Sequence, residues 1–206
     1  MNLKAHWEKV YQTKKNTDLS WYQATPQVSL SFLNELAIPK TAAIIDIGGG
    51  DSYFADHLLK LGYTDITVLD ISEVAINRAK QRLGKNAEKI NWIVADVTRF
   101  VSQKKFDCWH DRAAFHFLTA ETEIKKYLTA AQKHLSENGR MIIGTFSTEG
   151  PQQCSGLPVK QYSEQSLSTL LLKWFDKINC VMIDHTTPSN KIQRFLFCSF
   201  RKINFQ

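Results

Sequence analysis

The chain is short of the residues that make special structure: among 206 residues it has nine glycines, five prolines and four cysteines. Cys108, Cys154, Cys180 and Cys198 are far apart and form no C-x-x-C pair, which argues against a structural zinc site and fits a reducing cytoplasm. No apolar run approaches a membrane span, and the N-terminal MNLKAHWEKVYQTKK reads as amphipathic, not as a signal, so no membrane partner is expected. There is no internal repeat, low-complexity stretch or linker to divide the chain, which predicts one domain over residues 1–206. The net charge of +6 is spread out, without an arginine-rich tract, zinc-finger spacing or RNA-binding aromatic motif. No nucleic-acid partner is expected, and a solvated basic surface accounts for the charge.

What is present is an alternation. Residues 42–47, 65–70, 90–95 and 106–110 read as strands, and residues 53–61, 73–83 and 121–135 as helices, with Ser72 placed to cap the second. Glu137-Asn138-Gly139 reads as a turn before a strand over 140–146. Strands separated by helices of this length imply parallel pairing in a doubly wound α/β sheet with helices on both faces. After a helix over 164–173, the runs 176–184 and 192–201 flank the polar TTPSNK and predict an antiparallel hairpin at the end of the sheet.

Three of the nine glycines stand together, in AAIIDIGGGDSYF, directly after the first strand. Glycine weakens regular structure, so a triplet there implies that something approaches the backbone closely. In a sheet of this kind, ligands bind beyond the carboxyl ends of the strands. A dinucleotide loop would need a third glycine where Tyr53 stands, and a phosphate loop would need a Gly-Lys-Ser/Thr ending that does not follow. Asp51, near the next helix N-terminus, would repel a pyrophosphate and tolerate a cationic ligand.

The run Asp46-Ile47-Gly48-Gly49-Gly50-Asp51-Ser52 resembles the first motif of the class I S-adenosylmethionine-dependent methyltransferases, an acidic residue followed by G-x-G-x-G, with Ser52 at the third glycine. Asp70 and Ile71 at the end of the second strand match the place where that family binds the ribose hydroxyls through a carboxylate. Asp96 and Val97 match its adenine site, and FDCWHDR its fourth motif. The resemblance spans residues 40–147 and implies a Rossmann-like, mostly parallel seven-stranded sheet binding S-adenosylmethionine. Residues 1–37 would form a helical cap over the cofactor, and residues 148–206 the acceptor side.

HWEKVY and SWYQ resemble the N-terminal segment of the branch holding lysine methyltransferases for elongation factors and citrate synthase, with Trp21 and Tyr22 lying over the cofactor. The implied acceptor is a nucleophilic nitrogen, protein lysine first; the alternatives are a small molecule methylated on N, O or S, and a noncatalytic S-adenosylmethionine-binding module. The implied catalytic residues are His110, as base or substrate positioner, and Asp111. His116 reads as a core histidine, and His110, Asp111 and His116 lack metal-ligand spacing, so no metal is expected. Cys154 reads as an inert thiol in a loop that can wall the acceptor pocket. A monomer or weak dimer is expected.

Overall fold

A computed structural model describes residues 2–203. Strands β1 (Ala43–Ile47), β2 (Asp65–Asp70), β3 (Ile90–Val94), β4 (Phe106–Arg112) and β5 (Leu135–Phe146) carry the parallel part of the sheet. Strands β8 (Phe175–Thr186) and β9 (Ile192–Lys202) form the hairpin, and the sheet order is β3-β2-β1-β4-β5-β9-β8. β9 pairs antiparallel with both β5 and β8. The α/β sheet with its closing hairpin is therefore as the alternation predicts. The order reverses beside β1, so the glycine loop opens at the switch point between β1 and β4.

Strand β1 is buried along its whole length, and its residues alternate between two cores. Ala43, Ile45 and Ile47 face a core that also takes Ile124, Tyr127 and Leu128 of α5 (Glu121–His134) and Leu167 and Leu171 of α6 (Glu164–Leu171). Ile44 faces the other core, with Phe32 and Leu33 of α2 (Gln27–Glu35) and Phe54 and Leu58 of α3 (Phe54–Lys60). Helix α4 (Glu73–Leu83) begins at Ser72, whose side chain accepts from Ala75 N as its capping position predicts.

Helix α1 (Leu3–Thr13) is tied to α4 by a side chain from the middle of each. The Glu8 carboxylate accepts from Ser72 Oγ at 2.7 Å, Glu73 N at 2.9 Å and Val74 N at 3.1 Å, where the unpaired amides of a helix N-terminus favour an anion. In return, Arg78 Nη1 donates to the carbonyls of Tyr11 at 2.8 Å and Lys14 at 2.9 Å. One side chain from each helix thus satisfies backbone groups at an end of the other.

Three local expectations change. The turn at 137–139 does not end one element and begin another: β5 runs through it as a bulge, with Phe106 opposite Leu135 and Cys108 opposite Arg140, and Asn138 at φ +58° takes the bend. The loop after β5 contains a two-residue hairpin between β6 (Gln153–Cys154) and β7 (Leu157–Pro158), with Ser155 and Gly156 both at positive φ. Cys180 and Cys198 are joined in a disulfide, because they stand directly opposite each other on β8 and β9. The cysteine pattern thus no longer argues for a reducing compartment. Among the described residues, no helix is long and apolar enough to cross a membrane.

Candidate functional site

A cleft runs over the carboxyl ends of β1, β2, β3 and β4, and α1 and the segment after it close its outer side with Leu3, Trp7, Tyr11 and Trp21. Of the residues the sequence singles out, it gathers Asp46, Gly48, Gly49, Asp70, Ile71, Asp96, Val97, Trp21 and His110. Gly50, Asp51, Tyr22 and Asp111 do not line it.

Each glycine of the triplet has its own reason. Gly48 lies at φ +63°, and an added Cβ would meet Ala114 Cβ at 2.6 Å. At Gly49 a Cβ would come within 2.4 Å of Asp46 Oδ2, and at Gly50 within 2.6 Å of Asp70 Oδ2. The loop must therefore pass close to two carboxylates and to the turn after β4, and only glycine leaves room for all three.

Asp51 points away from the cleft. It pairs with Arg78 Nε at 3.0 Å and with Arg82 Nη1. Two guanidinium groups neutralise it, so its charge does not repel a pyrophosphate in the cleft, and the case against a dinucleotide rests on Tyr53 in place of glycine. Tyr22 packs edge-on against Tyr53, with ring centroids 5.9 Å apart, outside the cleft.

At the end of β2, Asp70 Oδ1 accepts from Ser72 N at 2.7 Å. Burial pushes the Asp70 carboxyl up to about 7, against the opposing effect of that hydrogen bond. At the end of β3, Asp96 Oδ1 accepts from Thr98 N at 2.8 Å and Thr98 Oγ1 at 2.7 Å and caps the short turn Val97–Arg99. These positions suit a nucleoside: a buried carboxylate for a diol, an apolar floor of Ile71 and Val97, and a loop stripped of side chains. Trp7, Tyr11 and Trp21 add aromatic faces able to attract a cation such as a sulfonium. The residues present therefore fit S-adenosylmethionine.

Of the two expected catalytic residues, His110 lines the cleft and Asp111 does not. His110 is 1% exposed, and both ring nitrogens are taken, by Asp46 Oδ1 at 2.6 Å on Nδ1 and by Ser29 Oγ at 2.8 Å on Nε2. A carboxylate only accepts, so Nδ1 carries the hydrogen, and in a neutral ring Nε2 accepts from the Ser29 hydroxyl. The ring also stacks on Phe54 at 4.0 Å. His110 thus braces Asp46 against α2, and to act as a base its Nε2 would have to exchange the Ser29 hydroxyl for another donor. Neighbouring strand residues point to opposite faces, so Asp111 turns into the other core. There it accepts from Ala114 N at 3.0 Å, Phe115 N at 3.1 Å and the Tyr127 hydroxyl at 2.8 Å. Burial pushes its carboxyl up to about 6.

His116 is in the core as expected. Its Nδ1 accepts from Phe146 N at 3.1 Å, and burial pushes its ring down to about 3, so it is neutral at physiological pH. His110, Asp111 and His116 thus face three different surroundings. Cys154 lines the cleft, and burial pushes its thiol up, away from the reactive thiolate.

Sequence reasoning does not single out Ser29, Glu8 or Gln193. Ser29 is one polar residue on an apolar helix face, and Glu8 one acid on an amphipathic helix. Gln193 lines the cleft from β9 with its Oε1 buried and unpartnered.

His110→Ala is expected to destabilise the fold by roughly 2–4 kcal/mol, because it leaves a buried carboxylate and a buried hydroxyl without partners. Denaturant unfolding measures this. An unchanged midpoint, with slowed methyl transfer and normal cofactor affinity, would restore the role of base.

A family model described as a methyltransferase domain matches residues 44–139. The eEF1A lysine and N-terminal methyltransferase of Mus musculus is 30% identical over 139 residues, covering 66% of this chain and 19% of that protein. Malonyl-acyl-carrier-protein O-methyltransferase 1 of Ilyobacter polytropus is 30% identical over 159 residues, covering 74% of this chain and 53% of that protein. The chain therefore spans from about a fifth to about half the length of these relatives. The N-methyltransferase NodS of Bradyrhizobium japonicum, solved in complex with S-adenosylhomocysteine, aligns with TM-score 0.74 at 18% identity over 96% of this chain and 98% of that one. At that identity the likeness speaks for the fold. Taken with the glycine cradle and the Asp70 carboxylate, the match identifies residues 44–139 as a methyltransferase domain of the class I, S-adenosylmethionine-dependent type.

Proposed function

We propose that this chain transfers a methyl group from S-adenosylmethionine to a small-molecule nucleophile. When bound, the cofactor supplies a methyl group already activated by its sulfonium. The chain's own task is then to hold nucleophile and methyl in line and to exclude water. Asp70, Ile71, Asp96 and Val97 would hold the nucleoside, with Gly48 and Gly49 leaving room for the rest.

The observation that carries the small-molecule reading is the distribution of acids. The carboxylates lining the cleft, Asp46, Asp70 and Asp96, stand at the ends of β1, β2 and β3, on the cofactor side. The opposite end is bounded by Phe117, Phe146, Cys154, Gln193 and Phe195, without a carboxylate. A lysine ammonium brought there would lose its hydration with no anion to compensate. Protein lysine is the second reading, favoured by the similarity to the eEF1A lysine and N-terminal methyltransferase.

Incubation of the purified protein with methyl-labelled cofactor and a cell lysate separates the two. Label is expected in the small-molecule fraction, and label confined to a protein band would replace this reading with the lysine one.

A further inference from the structure

Arg112 is a cation in a place that gives it little to do. It ends β4, between the glycine loop and β5, and lines the cleft. Its Nη1 donates to the Trp21 carbonyl at 2.8 Å. Among the described residues no carboxylate pairs with it, since the nearby Asp46 is bonded to His110. Burial pushes the guanidinium down, as expected where a charge is poorly compensated. A planar fork of donors in an aromatic cleft matches an anion.

The anion could come from the cofactor's own carboxylate or from the acceptor. The contacts of Arg112 favour the acceptor side. Trp21 belongs to a segment pinned to the far wall: Ser20 Oγ lies 3.8 Å from Cys154 Sγ, and the Ser20 carbonyl accepts from His185 Nε2 at 2.7 Å. Through that segment Arg112 is tied to the wall made by β6 and β8, while its charge faces Asp46 at the end of β1.

A second, independent observation agrees. The carboxylates of this cleft, Asp46, Asp70 and Asp96, stand on the nucleoside side; of its other titratable groups, His110 has both nitrogens bonded and burial pushes the Cys154 thiol up. An acceptor that arrives without a proton needs no base.

Resting on the methyltransferase reading above, we propose that Arg112 binds an anionic nucleophile, so that the acceptor is a carboxylate, phenolate or thiolate and not an amine. The bond from the anion to the methyl carbon forms as the methyl–sulfur bond breaks, and the electron pair of that bond stays on sulfur. The negative and sulfonium charges cancel, no proton moves, and the products are a neutral methyl ester, ether or thioether and S-adenosylhomocysteine. Arg112 orients the anion without withdrawing its charge completely, because one of its donors remains on Trp21.

The test uses the full chain saturated with S-adenosylhomocysteine. Acetate and benzoate, with their neutral amides acetamide and benzamide, serve as probes in ligand-observed NMR titrations. Calorimetry of S-adenosylhomocysteine and of 5′-deoxy-5′-methylthioadenosine, which lacks the carboxylate, runs alongside. At least one carboxylate should bind at least about tenfold more tightly than its amide, a factor worth about 1.4 kcal/mol. Arg112→Gln should erase that preference, Arg112→Lys should keep part of it, and neither should move S-adenosylhomocysteine affinity more than about threefold. Carboxylates that bind no better than amides would overturn the proposal. If Arg112→Gln weakened S-adenosylhomocysteine and spared methylthioadenosine, the anion would be the cofactor's carboxylate. Equal weakening of both nucleosides would make Arg112 a brace for Trp21. Failure of the wild-type protein to bind S-adenosylhomocysteine at all would instead strike the methyltransferase reading, and this inference with it.

Discussion

Gly48→Val is expected to abolish detectable binding of S-adenosylhomocysteine. A β-branched residue at φ +63° costs about 1–3 kcal/mol in backbone strain alone. Its Cβ would also sit 2.6 Å from Ala114 Cβ, so the glycine loop and the turn after β4 would have to separate. Overpacking of that kind typically costs a further 1–3 kcal/mol or so. Gly48, Gly49 and Ala114 all line the cleft, so forcing the loop and that turn apart would reshape the surface a cofactor would meet. Calorimetry with S-adenosylhomocysteine checks this, with circular dichroism to establish that the variant is folded. Binding within a few-fold of wild type would mean that the loop is structural and that the glycine triplet serves packing only.

Asp70→Ala is expected to cost about 2–4 kcal/mol of cofactor affinity, because two hydroxyl donors would be buried without an acceptor. The fold should tolerate the change less well than a surface substitution, since Asp70 is only 5% exposed and accepts from Ser72 N at the start of α4. The same residue sets a pH dependence. Burial raises the folded carboxyl from 3.8 to about 7, so between those values the folded chain holds a proton that the unfolded chain has released. Stability contributed by this group is accordingly greatest at low pH and falls as pH rises toward about 7. Cofactor binding runs the other way. Accepting two hydroxyl hydrogens requires the ionised form, so affinity should rise as pH climbs through about 7 and then level off. The rise is expected to be roughly tenfold between about pH 6 and pH 8 and to vanish in Asp70→Asn. Titrations across that range are the measurement, and a flat profile in the wild type would detach Asp70 from the ribose.

The residues that the sequence alone could assign are those with local causes. Strands and helices alternate because apolar residues recur at strand and helix periods, and Ser72 caps α4 because its side chain reaches an amide three residues on. The glycine triplet and the acids Asp46, Asp70 and Asp96 were legible because each sits at a strand end, where a motif is a matter of spacing along the chain. The tertiary structure decided which way each side chain faces and what it meets. His110 is 64 positions from Asp46 and 81 from Ser29, and no periodicity connects them. One step along β4 separates His110, braced over the cleft, from Asp111 in the opposite core, so a one-residue alternation divides the two expected catalytic residues. The neutralisation of Asp51 by Arg78 and Arg82, the cap that Glu8 lends to α4, and the disulfide across β8 and β9 likewise depend on segments brought together by packing. Contacts between distant parts of a chain leave no pattern in it, because they are selected by the geometry of the folded layers and not by the order of neighbouring residues.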